Sequence, residues 1–397
     1  MHRHLTLIAP AAAAALVLST LAPATAGGGH GGHHPGHSSG LQTVTALDGP
    51  RGVDALGDGR TLVAEGDGSF SLVVERRHKQ ALVIPLGSVA GGFPPAVAAG
   101  RHGTVYILTG AGGEPGGPPV PGAATLYKWR PGYAAPAFVA DIAAYQAGDH
   151  DPYNQEGPAG ESNPYGLAVL GNGAVLVADA AGNDVLKVSK NGRRITTVAR
   201  LKPRTVPVPE GLPATDPEGQ PTGFPPAGTP IPAEAVATSV AVGQDGSIYI
   251  GELRGFPATP GTSQIWRVRP GTTGAVCDPD APYSGSCKRW ADGQTSIVDL
   301  AVGKDDTVYA LSLSKLSWFA FELGVPGAEV GALHALTRSW HGGVRAKELA
   351  PGMLITPGGV DVVDNTAYVT GPIFGPGSLS KLELGRKGHH HKGHHPR

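Results

Sequence analysis

The 397-residue sequence carries 31 Lys and Arg against 32 Asp and Glu, a formal net charge of −1 at pH 7 with histidines neutral. No basic stripe with interleaved aromatics accompanies this balance, which excludes nucleic acid as an expected partner. A content of 61 Gly and 37 Pro against 2 Met suits many short strands joined by turns and leaves little room for long helices.

In chain order, His2, Arg3 and His4 precede an Ala/Leu-rich run from Leu5 to about Leu21, and Ala24-Thr25-Ala26 has the small-x-small form of a signal-peptidase site. Residues 1–26 are therefore predicted to be a signal peptide cleaved after Ala26, and the mature protein to be secreted. No later stretch approaches the roughly 18 to 20 apolar residues of a membrane span. No Cys near the cleavage site offers a lipid acceptor. Residues 27–40, with His33 and His34 in "HGGHHPGHSSG", read as a His/Gly-rich disordered segment.

From residue 41 to 386 the chain repeats itself. "RGVDALGDGRTLVAEG", "PAVAAGRHGTVYILTG", "YGLAVLGNGAVLVADA", "TSVAVGQDGSIYIGEL", "VDLAVGKDDTVYALSL" and "GGVDVVDNTAYVTG" each give an apolar strand, a Gly/Asp/Asn turn and a second apolar strand. A third short strand follows most of them, as in "SQIWRVRPG", and a fourth, as in "RRITTVARL". Four antiparallel strands repeated about six times predict an all-β fold, a six-bladed β-propeller with Pro/Gly-rich loop insertions. The run "LQTVTAL" from Leu41 is expected to complete the last blade beside "LSKLEL". The insertions, such as "AAYQAGDHDPYNQEGPAGESNP", read as loops over one face, where functional residues usually sit.

Cys277 and Cys287 flank a Pro/Gly/Ser loop and predict one local disulfide; a two-Cys metal site is the weaker reading, since no His or third Cys lies at a zinc-type spacing. The tail from residue 387, with His389, His390, His391, His394 and His395, is either a transition-metal-binding segment or an incidental polar tail. Among body histidines only His150, in "GDHDPY", has acidic neighbours in a rim loop.

The stretches "LDGPRGVDAL", "SNPYGLAVL", "LVADAAGNDVLKV", "TSVAVGQDGSIYIGELRGFPATPG" and "IVDLAVG" together resemble the ScyD/ScyE family of exported bacterial proteins, and "VADAAGNDVLKV" resembles an NHL-type propeller repeat. The resemblance spans about Leu41 to Leu384 and implies a six-bladed propeller, but little chemistry. The chain departs from it at "KDD" near Asp305, where Asp-Gly is expected, and in its His-rich tails.

Strand direction sorts the candidate residues. Asp58, Asp245 and Asp305 fall in tight turns on one rim and read as structural. Arg51, Asn163, Tyr165, Ser239 and Asp299 precede or begin first strands, while Glu65, Asp179 and Glu252 end second strands, so all eight are expected on the opposite, insertion-bearing rim. Asp179 is read first as a turn-holding residue. Glu65, Asn163, Asp179, Glu252 and Asp299 together form a candidate oxygen-ligand set for a divalent cation, Ca²⁺ or Zn²⁺. No nucleophile elbow, Walker loop, H-E-x-x-H or dinucleotide fingerprint is present. The leading expectation is a non-catalytic monomer that binds a small molecule or extracellular protein. The alternative is a metal-dependent lactonase or esterase of the gluconolactonase-like propeller type, using Glu65, Asn163, Asp179 or Asp299. A quinoprotein-like sugar dehydrogenase is a weaker third reading, resting on Arg51 alone.

Overall fold

The computed structural model describes residues 40–90, 93–112, 120–216, 219–339 and 342–385. The predicted leader, most of the His/Gly-rich segment and the His-rich tail lie outside the described residues. Six four-stranded antiparallel sheets form around one axis as the blades of a propeller. From the inside outward, blade 1 is Val53–Gly57, Arg60–Ala64, Ser69–Arg76 and Lys79–Ser88, and blade 2 is Ala96–Ala99, Val105–Leu108, Thr125–Trp129 and Ala137–Asp141. Blade 3 is Pro164–Val169, Val175–Asp179, Asp184–Val188 and Ile195–Leu201; blade 4 is Ala237–Val242, Ile248–Glu252, Ser263–Val268 and Cys287–Gln294. Blade 5 is Ile297–Val302, Val308–Ser312, Ala332–Arg338 and Val344–Leu349. Blade 6 takes Gly359–Val363, Thr366–Gly371 and Pro376–Glu383 from the end of the chain and its outermost strand, Gln42–Asp48, from the beginning.

The turns follow from their residues. In blade 4 the Gly243 N–H reaches the Ser247 carbonyl at 2.8 Å, Asp245 accepts from the Ser247 N–H at 2.9 Å, and Gly246 sits at φ +77°. Blade 5 repeats this with Asp305 accepting from Thr307 at 3.2 Å, and Asp306 takes the glycine's left-handed place at φ +61°. Asp tolerates that region, so "KDD" makes the same turn as "QDG".

Both faces of each sheet are apolar because each is covered by a neighbour. Six hydrophobic clusters fill the six gaps, for example Leu176, Val240, Ile250 and Trp266 between blades 3 and 4, and Leu47, Val53, Val63 and Leu379 between blades 6 and 1. Inner strands lie against one another all the way around, enclosing a channel. One rim, the turn rim, carries the tight turns. The other, the loop rim, carries the insertions: helix Ile142–Gln146, hairpin Arg204–Pro207 with Pro230–Ala233, and helix Trp318–Glu322. No helix among the described residues is long and apolar enough to cross a membrane. Cys277 and Cys287 are disulfide-bonded, and the short strand Ala275–Cys277 adds in parallel to the outside of blade 3.

Candidate functional site

An inner strand is an edge strand, so N–H groups on its channel side have no partner in its own sheet. Three aspartates supply one from the blade before. Asp299 of blade 5 accepts from Val360 N–H of blade 6 at 2.8 Å, Asp361 of blade 6 from Ala55 N–H of blade 1 at 2.7 Å, and Asp54 of blade 1 from Ala99 N–H of blade 2 at 2.6 Å. All three line a channel cavity of about 270 Å³ to which every inner strand contributes. Burial drives the Asp361 carboxyl up to about 7, the adjacent Asp54 adding to the shift, and burial raises Asp54 as well. Burial lifts Asp299 to about 6 against the pull of the Arg51 guanidinium. Asp54 and Asp361, absent from the sequence-derived candidates, are neighbouring buried carboxyls, and burial favours the neutral form of each. The signal for them was the repeated "GVD" of "RGVDAL" and "GGVDVV".

Of the predicted candidates, Arg51, Tyr165 and Asp299 meet at this channel. Arg51, 4% exposed, donates to the Pro94 carbonyl at 3.0 Å and to the Tyr165 carbonyl, with its guanidinium 3.6 Å from the Tyr165 ring centroid and 5.5 Å from that of Phe93. The other candidates hold strand ends and loops. Fully buried Asp179 accepts from Ser162 Oγ at 2.6 Å, Asn163 N–H at 2.7 Å and Gly182 N–H at 3.2 Å. Asn163 Oδ1 in turn accepts from Ala111 N–H at 3.0 Å, and Glu65 from Asp48 N–H at 2.6 Å. Glu252, fully buried, accepts from Trp266 Nε1 at 2.6 Å, from Gln264 N–H at 2.9 Å and from the buried Arg254. Ser239 Oγ is buried over Gly251, without a hydrogen-bond partner. His150 bonds the Ala147 carbonyl at 2.9 Å. Glu65, Asn163, Asp179, Glu252 and Asp299 are thus not brought together, and among the described residues no group of three or more His, Cys, Asp or Glu is placed to hold a metal ion.

The loop rim has its own character. Phe224, Phe256 and Phe319 pack mutually at centroid distances of 5.2–5.7 Å, Trp318 lies 5.5 Å from Phe319, and Phe321 stacks on Phe374 at 5.7 Å. This aromatic arc crosses the loops of blades 4, 5 and 6 and ends on Phe374, 55% exposed, and the same rim's loops carry exposed Leu316, Met353 and Ile355. Among the described residues the rim's cations are engaged, for example Lys202 with Asp278, Arg204 with Asp292, Arg254 with Glu252 and Lys315 with Glu348. Two carboxyls beside the arc are not compensated. Desolvation by the surrounding loops raises Glu322, on the same helix as Phe319 and Phe321, to about 7. It does the same to Glu156, where Glu234 adds to the shift.

No protein-family model matches the chain, and no curated protein sequence matches it. Solved structures do resemble it. Two structures of glucose dehydrogenase, each 14% identical, superpose with TM-scores of 0.53 and 0.52 over 87% of this chain and 99% of theirs. The PQQ-bound aldose sugar dehydrogenase of Streptomyces coelicolor, 12% identical, gives 0.49 over 86% and 96%. At these identities the likeness speaks for the propeller fold alone.

Proposed function

We propose that the protein is an exported propeller scaffold that binds a cationic, apolar ligand or partner segment on its loop rim. The observation that carries this reading is the half-buried aromatic arc that ends on exposed Phe374, flanked by Glu156 and Glu322 on a rim whose described cations are paired. Large exposed apolar patches on soluble proteins mark binding surfaces, and aromatic faces beside uncompensated carboxyls favour a cation. Export is supported by the leader pattern before Ala26 and by the Cys277–Cys287 disulfide, a bond that persists in oxidising compartments. Membership of the ScyD/ScyE family rests on the sequence motifs and adds no activity. The lactonase alternative draws no support from the rim, because Glu65, Asn163, Asp179 and Asp299 lie apart and among the described residues no group of three or more His, Cys, Asp or Glu is placed to hold a metal ion. The sugar dehydrogenase reading asks for a cluster of basic and His side chains at the channel, where the structure places Arg51 among three carboxyls.

The test compares two fluorescent probes with one ring and opposite charge, dansylcadaverine and dansylglycine. The amine is expected to bind saturably, to weaken roughly ten-fold in Phe319→Ser/Phe374→Ser, and to weaken several-fold in Glu156→Gln/Glu322→Gln. Equal binding of both probes, or an amine affinity untouched by either pair of substitutions, would overturn the reading.

A further inference from the structure

A second cavity, of about 300 Å³, opens on the turn rim between blades 4 and 5, and its lining includes Arg267, Arg269, Lys288, Arg289 and Arg338. Arg267 stands directly opposite Lys288 in the antiparallel pairing of the two outer strands of blade 4. Like charges in that position repel and are ordinarily selected against in a sheet. Two residues further on, the Arg269 N–H donates to the Ser286 carbonyl at 3.2 Å, so the two-residue period puts Arg267, Arg269, Lys288 and Ser286 on one face. Arg338 faces them from the third strand of blade 5, its guanidinium 5.9 Å from the centroid of the Trp290 ring.

Compensation is partial. Asp245 pairs with Arg267, and Asp292 with Arg289 at 3.0 Å. Among the described residues no carboxylate is within ion-pair distance of Arg269, Lys288 or Arg338, and Arg267 Nε is buried without an acceptor. The Cys277–Cys287 disulfide anchors the loop that delivers Ser286 and Lys288, so the cations are gathered before any ligand arrives.

We propose that this cavity binds a phosphate or sulfate monoester. Guanidinium forks match the paired oxygens of a tetrahedral oxyanion, and a volume of about 300 Å³ lies at the lower end of small-molecule pockets, with room for a sugar-sized group beside the anion. The site lies on the rim opposite the aromatic arc, so it stands or falls independently of the function proposed above.

Calorimetric titration of the full chain at about pH 8, where unperturbed histidines are neutral, would use glucose 6-phosphate, inorganic phosphate and inorganic sulfate as probes. Saturable binding of glucose 6-phosphate is expected, weakened roughly ten-fold or more in Lys288→Gln/Arg338→Gln and falling with added salt. Both side chains are exposed, so the double variant keeps its fold, and Arg269→Gln gives an independent second reading. Tighter binding of the ester than of inorganic phosphate supports the monoester. Equal affinities overturn the ester and leave a site for the free anion. No saturation by any probe at about 10 mM, or binding unchanged in both variants, overturns the site altogether.

Discussion

Asp54 and Asp361 put two buried carboxyls into the channel where the ring closes, and this makes stability depend on pH. The unfolded carboxyl titrates near 3.8, whereas burial holds that of Asp361 near 7 in the fold. A folded value above the unfolded one means that the native state binds the proton more tightly, so this stabilisation is complete below about pH 4 and is lost as pH rises through about 7. The groups that share this channel are Asp299, which titrates near 6 and acts in the same direction, and Arg51, which pulls Asp299 down. Urea unfolding is therefore expected to show a loss on the order of 2–4 kcal/mol between about pH 5 and pH 8. Asp361→Asn, which mimics the protonated partner, should reduce that slope, while Glu156 and Glu322, also near 7, keep part of it; an unchanged slope would remove the pair from the account. Asp299 and Arg51 stand out in the sequence because they begin or precede first strands, whose direction the hairpin pattern gives. Asp54 and Asp361 do not, because a carboxylate in mid-strand of an apolar run has no local partner. Its partner is an N–H one blade away, which no spacing along the chain encodes.

At the scale of the element, hairpins were the most legible features, since the turn residues and the alternation lie within one short stretch. The short helices were not. Ile142–Gln146 begins at Asp141, whose carboxylate accepts from Ala144 N–H at 2.8 Å, but five residues are too few to show a helical period. Glycines at the loop-rim end of the inner strands were visible as letters and opaque as causes. A Cβ on Gly359 would lie 2.3 Å from the Arg51 carbonyl oxygen, and one on Gly166 would lie 2.6 Å from that of Thr238, both on the following blade. Small residues there let neighbouring inner strands approach. Gly359→Ala and Gly166→Ala should each cost about 1–3 kcal/mol through overpacking. Gly171→Ala, where the added carbon meets nothing within 4 Å, should change stability little. Matching denaturation midpoints for all three would show that blade spacing is set by something other than these contacts.

For the whole molecule, the ring is held shut by a strand borrowed from the other end of the chain. Gln42–Asp48 pairs along Pro376–Glu383, the Asp48 N–H ties on to Glu65 of blade 1, and across the same seam Glu75 of blade 1 receives Tyr368 Oη at 2.7 Å and Lys381 Nζ at 2.6 Å of blade 6. The sequence signalled this closure because "LQTVTAL" is a strand without a hairpin partner of its own, while the last repeat lacks a fourth strand. Removing residues 27–48 would leave Pro376–Glu383 as an open edge with a row of unpaired backbone groups, a template for another chain. The shortened protein is expected to melt on the order of 10 °C lower and to self-associate. A synthetic peptide of residues 41–48 should restore the melting temperature and reverse the self-association by adding as the missing strand. The two readouts separate the roles of the segment. If melting falls but the peptide does not rescue it, the covalent link to blade 1, which carries the Asp48 to Glu65 bond, matters more than the pairing; if melting is unchanged, the other blade interfaces hold the ring without it.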